Sequence, residues 1–255
     1  MRQLIAIAFY TFREAVRNKV LYSILFFAIA LILLATALGA GSLRQDTRVL
    51  MNIGLFAISL FSDLIAIFLG VTMVFQELER KTIYNVLSKP IARHAYFFGK
   101  FLGLSAVLTV QLVMMSVTLL SVVLLRGDPI SVTLVQALWL IQVEALIVGA
   151  IALFFSSFST PYVSGFLTLG LWLVGRLLQE LQVYLPQMDP GAGRELLRFV
   201  TWVCPDLSLF GLTTQLSAHV TVPMAYIWEA TMYGMTYAAL FLVAGMFIFR
   251  RRDFI

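Results

Sequence analysis

Charge is scarce in this sequence. Asp, Glu, Lys and Arg make up 12% of its 255 residues against 61% for hydrophobic types, where soluble domains carry about a quarter charged and about half apolar. A chain so poor in charge cannot cover a water-facing surface, which excludes an ordinary soluble globule and points to an integral membrane protein. Cysteine is scarcer still: the single Cys204 excludes an internal disulfide and a cysteine-based metal cluster. The two histidines, His94 and His219, are expected on opposite sides of the membrane. Neither H-E-x-x-H nor G-x-S-x-G occurs, which argues against an intramembrane metalloprotease or a serine hydrolase. The phosphate-cradling pattern G-x-x-x-x-G-K-[ST] is missing too, because Gly99-Lys100 is followed by Phe101 and lacks the upstream glycine. No catalytic residue, metal ligand or cofactor is therefore expected in this chain, and ATP-driven work would need a separate subunit. The net charge of +5 gives no reason to expect a nucleic-acid partner; its distribution carries the information.

Long apolar runs are plentiful. About 20 helical residues cross the roughly 30 Å hydrocarbon core of a bilayer, and backbone groups facing lipid must be hydrogen-bonded within their own helix. The expected fold class is all-α: a polytopic membrane domain over residues 1–255, with six spans near 20–40, 53–75, 99–125, 130–158, 161–185 and 223–249. The first apolar run begins only at Val20, so a cleavable signal is not expected. Arg2, Arg13, Arg17 and Lys19 precede span one. Arg80, Lys81, Lys89, Arg93 and Lys100 lie between spans two and three, and Arg250, Arg251 and Arg252 follow span six. The opposite side receives only Arg44, Arg48, Arg126, Arg176, Arg194 and Arg198. By the positive-inside rule both termini and the 77–97 segment are cytoplasmic, in a cell inner (plasma) membrane.

Residues 2–19 form an element of their own. On a helical wheel Leu4, Ile5, Ala8, Phe9, Phe12, Ala15 and Val16 share one side, while Arg2, Gln3, Tyr10, Arg13, Glu14 and Arg17 take the other. This suits an interfacial helix resting on membrane lipid. The long outer segment 186–222 is broken by Pro186, Pro190, Gly191 and Gly193, and Arg194–Val203 then reads as a short amphipathic helix before Pro205.

Within the spans, charge appears at isolated points. Asp63 and Glu144, with Gln111 in span three, form either a polar lining for a pathway or interhelical hydrogen bonds, since such residues face protein or water. Arg176 and Glu180 stand i, i+4 towards the outer end of span five and can pair with each other; residues 161–185 either cross fully or form a helical hairpin that crosses only in part.

Between spans two and three, Glu77 and Glu79 stand against Arg80, Lys81, Lys89 and Arg93. Thr82 can cap a short helix at 83–87, and Pro90 forces a corner at Lys89. Ile83, Tyr84, Val86 and Leu87 become apolar knobs inside a charged rim, a shape that a soluble partner can grip. The run ELERKTIYNVLSKPIAR, followed by GKFLG, resembles the cytoplasmic loop of type 2 ATP-binding-cassette (ABC) export permeases. FSSFSTPYVSGFLTLGLW at 155–172 and FRRRDF at 249–254 resemble that family's turn between spans four and five and its basic C-terminal end. The resemblance implies a half-transporter. Two copies of the chain would work with two separately encoded ABC ATPase subunits, which hold ATP and Mg. Glu77, Glu79, Arg80, Thr82, Ile83, Tyr84, Leu87, Pro90 and Arg93 would form the coupling segment seated in the ATPase. A gradient-driven carrier or ion channel using Asp63 and Glu144 is the alternative reading.

Overall fold

The computed structural model describes residues 2–39, 46–79, 93–187, 191–217 and 220–251. Every regular element among them is helical: α1 (Arg2–Val16), α2 (Lys19–Gly39), α3 (Asp46–Glu79), α4 (Arg93–Leu125), α5 (Val132–Ser156), α6 (Pro161–Arg176), α7 (Leu178–Tyr184), α8 (Ala192–Val203), α9 (Thr213–Ser217) and α10 (Met224–Arg251), with short 3₁₀ turns at Leu185–Gln187 and Ser208–Phe210. Four of these contain segments long and apolar enough to cross a membrane unaided: Leu50–Met73, Ala95–Leu125, Val132–Ser156 and Met224–Phe249. Two bent pairs, α1 with α2 (65°) and α6 with α7 (57°), bring the number to as many as six.

Side-chain contacts fix the directions of the helices. Ser59 reaches Glu144, and Ser156 reaches the Val71 carbonyl, both at a sequence separation of 85, so α3 and α5 run parallel and in step. Gln111 meets Ser62 and Leu119 lies against Gly54, so α4 runs antiparallel to α3. In the same way α6 opposes α3, through Trp172 at Asp63 and Arg176 at Ser59. Helix α10 follows α5, through Trp139 at Thr231 and Phe154 near Gly245. One end of the bundle therefore gathers the end of α3, the start of α4 and the end of α10, where Phe249 packs on Tyr96 and Phe97. α5 lies at the centre, buried on nearly all sides, as its continuous apolar sequence demands.

The helix starts follow local chemistry. Ser131 caps α5 by accepting the Leu134 N–H, Pro161 occupies the first turn of α6 where its missing N–H costs nothing, and Asn18 Oδ1 accepts the Val20 N–H at the bend between α1 and α2.

α1 packs lengthwise and parallel along the first turns of α4. The contact runs through G-K-F-L-G: a Cβ on Gly99 would meet Ile7 at 2.9 Å, and one on Gly103 would meet the Thr11 Cβ at 2.5 Å and the Ala8 carbonyl at 2.8 Å. Small residues four apart let two helix backbones approach this closely. Between the glycines, Lys100 is buried and pairs with Glu14 at 3.7 Å. The packed face is thus Ile7, Thr11 and Ala15, whereas Ile5 and Phe9 point outward. The helical wheel grouped Ile5 and Phe9 with Ala15, because hydrophobicity alone cannot tell a lipid-facing side from a helix-facing one.

Candidate functional site

The three isolated charges in spans two, four and five converge. The Arg176 guanidinium, at the last turn of α6, approaches both oxygens of Glu144, with Nε 2.7 Å from Oε1 and Nη2 3.0 Å from Oε2. Nη2 also lies 3.4 Å from Asp63 Oδ2 and donates to the Ser59 hydroxyl. The Trp172 indole, one turn earlier, donates to Asp63 Oδ2 at 2.9 Å. Both carboxylates are 1% exposed and the arginine side chain 27%, so the acids are buried and the arginine alone of the three reaches the surface. A forked guanidinium is the side chain suited to gripping two carboxylates at once.

This corrects the expected Arg176–Glu180 pair. The helix breaks at Leu177, Glu180 belongs to α7 and is exposed, and i, i+4 spacing no longer puts the two on one face. The sequence carried a usable signal: Arg176 is a cation inside a span, able to neutralise Asp63 or Glu144. Trp172 and Ser59 gave no such signal and escaped notice. Gln111 lies close by on α4, where its Nε2 donates to Ser62 Oγ at 3.4 Å.

The break in span five is itself held in place. A continuous helix would pair the Gly175 carbonyl with the N–H four residues on; instead it accepts the Leu207 N–H at 3.1 Å. Residues 205–212 form a hook at the end of the bundle opposite Glu79 and Arg93. Its irregular backbone is tolerable beside lipid only when buried in protein, and Leu207, Phe210 and Leu212 are buried. Phe210 sits against Gly234 of α10, where a side chain would collide with Val143 at 2.5 Å and crowd the phenyl ring. The Asp206 N–H donates to the Tyr233 hydroxyl at 2.8 Å, and the Tyr226 hydroxyl donates to the Leu209 carbonyl at 2.6 Å. Tyr233→Phe orphans the Asp206 N–H and is expected to cost about 1–3 kcal/mol. A lowered melting temperature and faster maleimide labelling of the adjacent Cys204 would register the loosened hook. In the native protein burial pushes the Cys204 thiol above its ordinary pKa, which keeps that labelling slow.

Of the residues expected to touch a partner, Glu77 and Glu79 close α3 and Arg93 opens α4. Arg80, Thr82, Ile83, Tyr84, Leu87 and Pro90 lie outside the described residues. Before the hook, Arg194–Val203 is helical as expected, with Leu196, Phe199 and Trp202 exposed.

Residues 5–254 match the family model described as ABC-2 family transporter protein. No curated protein matches the chain.

Proposed function

The chain belongs to the ABC-2 transporter family, whose members are membrane subunits that normally partner an ABC ATPase, and on that premise we propose that it is the permease subunit of an ATP-driven exporter. In this reading the permease is a single transmembrane domain of six spans in the inner membrane, with both termini cytoplasmic and α1 resting at the lipid interface. Two copies work with two separately encoded ATPase subunits that bind ATP and Mg. The ATPase drives the permease through residues 77–93.

The observation that carries the coupling assignment is the length of the two helices flanking that segment. α3 has 34 residues and α4 has 33. At 1.5 Å per residue each extends about 50 Å, well beyond a hydrocarbon core of roughly 30 Å. The apolar stretch of α3 ends at Met73, six residues before Glu79, and that of α4 begins at Ala95, two residues after Arg93, so in this reading α3 extends past the apolar zone towards the charged segment and α4 re-enters that zone directly after it. α1, clamped to α4 through Gly99, Gly103 and the Glu14–Lys100 pair, braces one of them. A push at 77–93 would then reach the Asp63–Arg176–Glu144 cluster directly along α3.

A gradient-driven carrier would use the same two acids, but both are engaged by Arg176, and the family membership favours an ATP-driven machine. Replacing Glu79 with Lys and Tyr84 with Ala is expected to abolish substrate-stimulated ATP hydrolysis in the purified complex while membrane insertion persists. ATPase binding and stimulation that survive the double change would refute the docking assignment.

A further inference from the structure

Midway along the bundle, α3, α4 and α5 bury a polar layer that the helix packing does not satisfy. Ser62 and Asp63 of α3, Gln111 of α4, and Gln142 and Glu144 of α5 are each at most 8% exposed. Gln111 spends its amide nitrogen on Ser62. Two turns along α5 from Gln142, Gly149 lies against Leu104 and Leu108 of α4; the antiparallel register therefore brings Gln142 to the level of Gln111. Glu144 Oε1 has only its ion pair with Arg176 Nε, and four further atoms in this layer have no hydrogen-bond partner: Asp63 Oδ1, Gln111 Oε1, and both Oε1 and Nε2 of Gln142. Buried polar atoms are rarely left unpaired, and a group of them at one level marks a place for water or a ligand.

The inventory of these atoms sets the chemistry of what they can bind. Three of the four orphans are acceptor oxygens and one is a donor. Two carboxylates against one guanidinium also leave the neighbouring cluster with one unbalanced negative charge. Both features call for something rich in donors and positive. Among the described residues no group of three His, Cys, Asp or Glu could hold a metal ion, so the layer lacks the ligands of a transition-metal site.

We propose that this mid-membrane layer is a hydrated binding site for a monovalent cationic group, of the ammonium or guanidinium type, presented by the transported substrate. Its role in transport rests on the permease assignment; its affinity for cations does not. Asp63 Oδ1, Gln111 Oε1 and Gln142 Oε1 accept hydrogen bonds from the incoming cation or its water. Arg176 grips both oxygens of Glu144 but meets only Oδ2 of Asp63, at 3.4 Å, so Asp63 is the acid that turns its other oxygen to the cation, and the excess of carboxylate over guanidinium disfavours anions.

The single cysteine makes the test simple. In full-length protein reconstituted in liposomes and carrying Cys204→Ser, new thiols are introduced singly by Ser62→Cys and Gln142→Cys, with Val113→Cys on the outward face of α4 as control. Each is exposed to a trimethylammonium methanethiosulfonate and to a sulfonate methanethiosulfonate. The buried thiols are expected to react with the cationic reagent about tenfold or more faster than with the anionic one, as a site of one charge sign concentrates its counter-ion. Adding Glu144→Gln should erase most of that preference, and the control should stay unreactive. Buried thiols that react no faster than Val113→Cys, or equally with both reagents, would overturn the proposal. Should Gln142→Cys fail to assemble, Ser62→Cys, which changes one atom, decides alone. No ATPase or nucleotide is needed. A cation preference without a copurifying ATPase would sink the permease assignment and keep the site; an ATPase complex without the preference would do the reverse.

Discussion

Arg176→Met is expected to cost the folded protein on the order of 3–5 kcal/mol, the scale measured when one partner of a buried ionic group is removed. The loss is more than a broken contact. Asp63 and Glu144, each 1% exposed, would keep only neutral donors, the Trp172 indole and the Ser59 hydroxyl, against two like charges in a medium of low dielectric. The single acid substitutions have a different expectation. Glu144→Gln or Asp63→Asn leaves one carboxylate facing one guanidinium, a balanced pair, and should cost far less than Arg176→Met. Combining Arg176→Met with Asp63→Asn and Glu144→Gln in one chain should recover much of what the arginine substitution loses, because like charges no longer face one another. Melting of the detergent-purified variants, followed by gel filtration, reads the order. Equal costs for all three single substitutions, or simple additivity in the triple, would mean that the three side chains do not act as one unit.

Gly103→Ala and Gly165→Ala should move stability in opposite directions, although both add one methyl to a helix. At Gly103 the methyl would lie 2.5 Å from the Thr11 Cβ and 2.8 Å from the Ala8 carbonyl; neither is the far end of a flexible chain, so α1 must move off α4. Overpacking of this kind costs about 1–3 kcal/mol. Moving α1 also parts Glu14 from the buried Lys100, which adds to the loss. At Gly165 of α6 an added methyl would meet nothing within 4 Å, and alanine there should gain about 0.5–1 kcal/mol from backbone entropy alone. Thermal melts of the two variants check the signs. On the permease reading, Gly103→Ala should also blunt stimulated ATP hydrolysis while Gly165→Ala leaves it intact.

The amino-acid sequence made the helices legible and left their partners obscure. Runs such as Val132–Ser156 announce themselves because a helix buried or lipid-covered on every side needs apolar residues throughout, and expected limits of 130–158 and 223–249 lie within a few residues of α5 and α10. The broken fifth span was readable in part: Arg176 and Glu180 mark where the apolar run fails. What they bind was not, because pairing across three helices depends on register, and register comes from contacts such as Gly70 on Ala152 that have no pattern along the chain. The same limit applies to G-K-F-L-G. Its spacing permits close packing, yet only the fold reveals that the neighbour is α1. The polar layer behaved similarly: Asp63, Gln111 and Glu144 stood out as costly residues, while Gln142 gained significance only once the register set it level with Gln111.

The hook at 205–212 gives the bundle a closed mechanical circuit. Leu207 holds the Gly175 carbonyl of α6, while Phe210 and the Tyr226 and Tyr233 hydroxyls fix the same few residues to α10. At the opposite end, Phe249 of α10 stacks on Tyr96 of α4, one helix away from the charged turn. On the permease reading, force entering there would have two routes to Arg176: down α3 to the carboxylates, and down α10, across the hook and back into the bent end of α6. Arg176 is thus anchored twice over, by the carboxylates of α3 and α5 and by the hook that ties the end of α6 to α10.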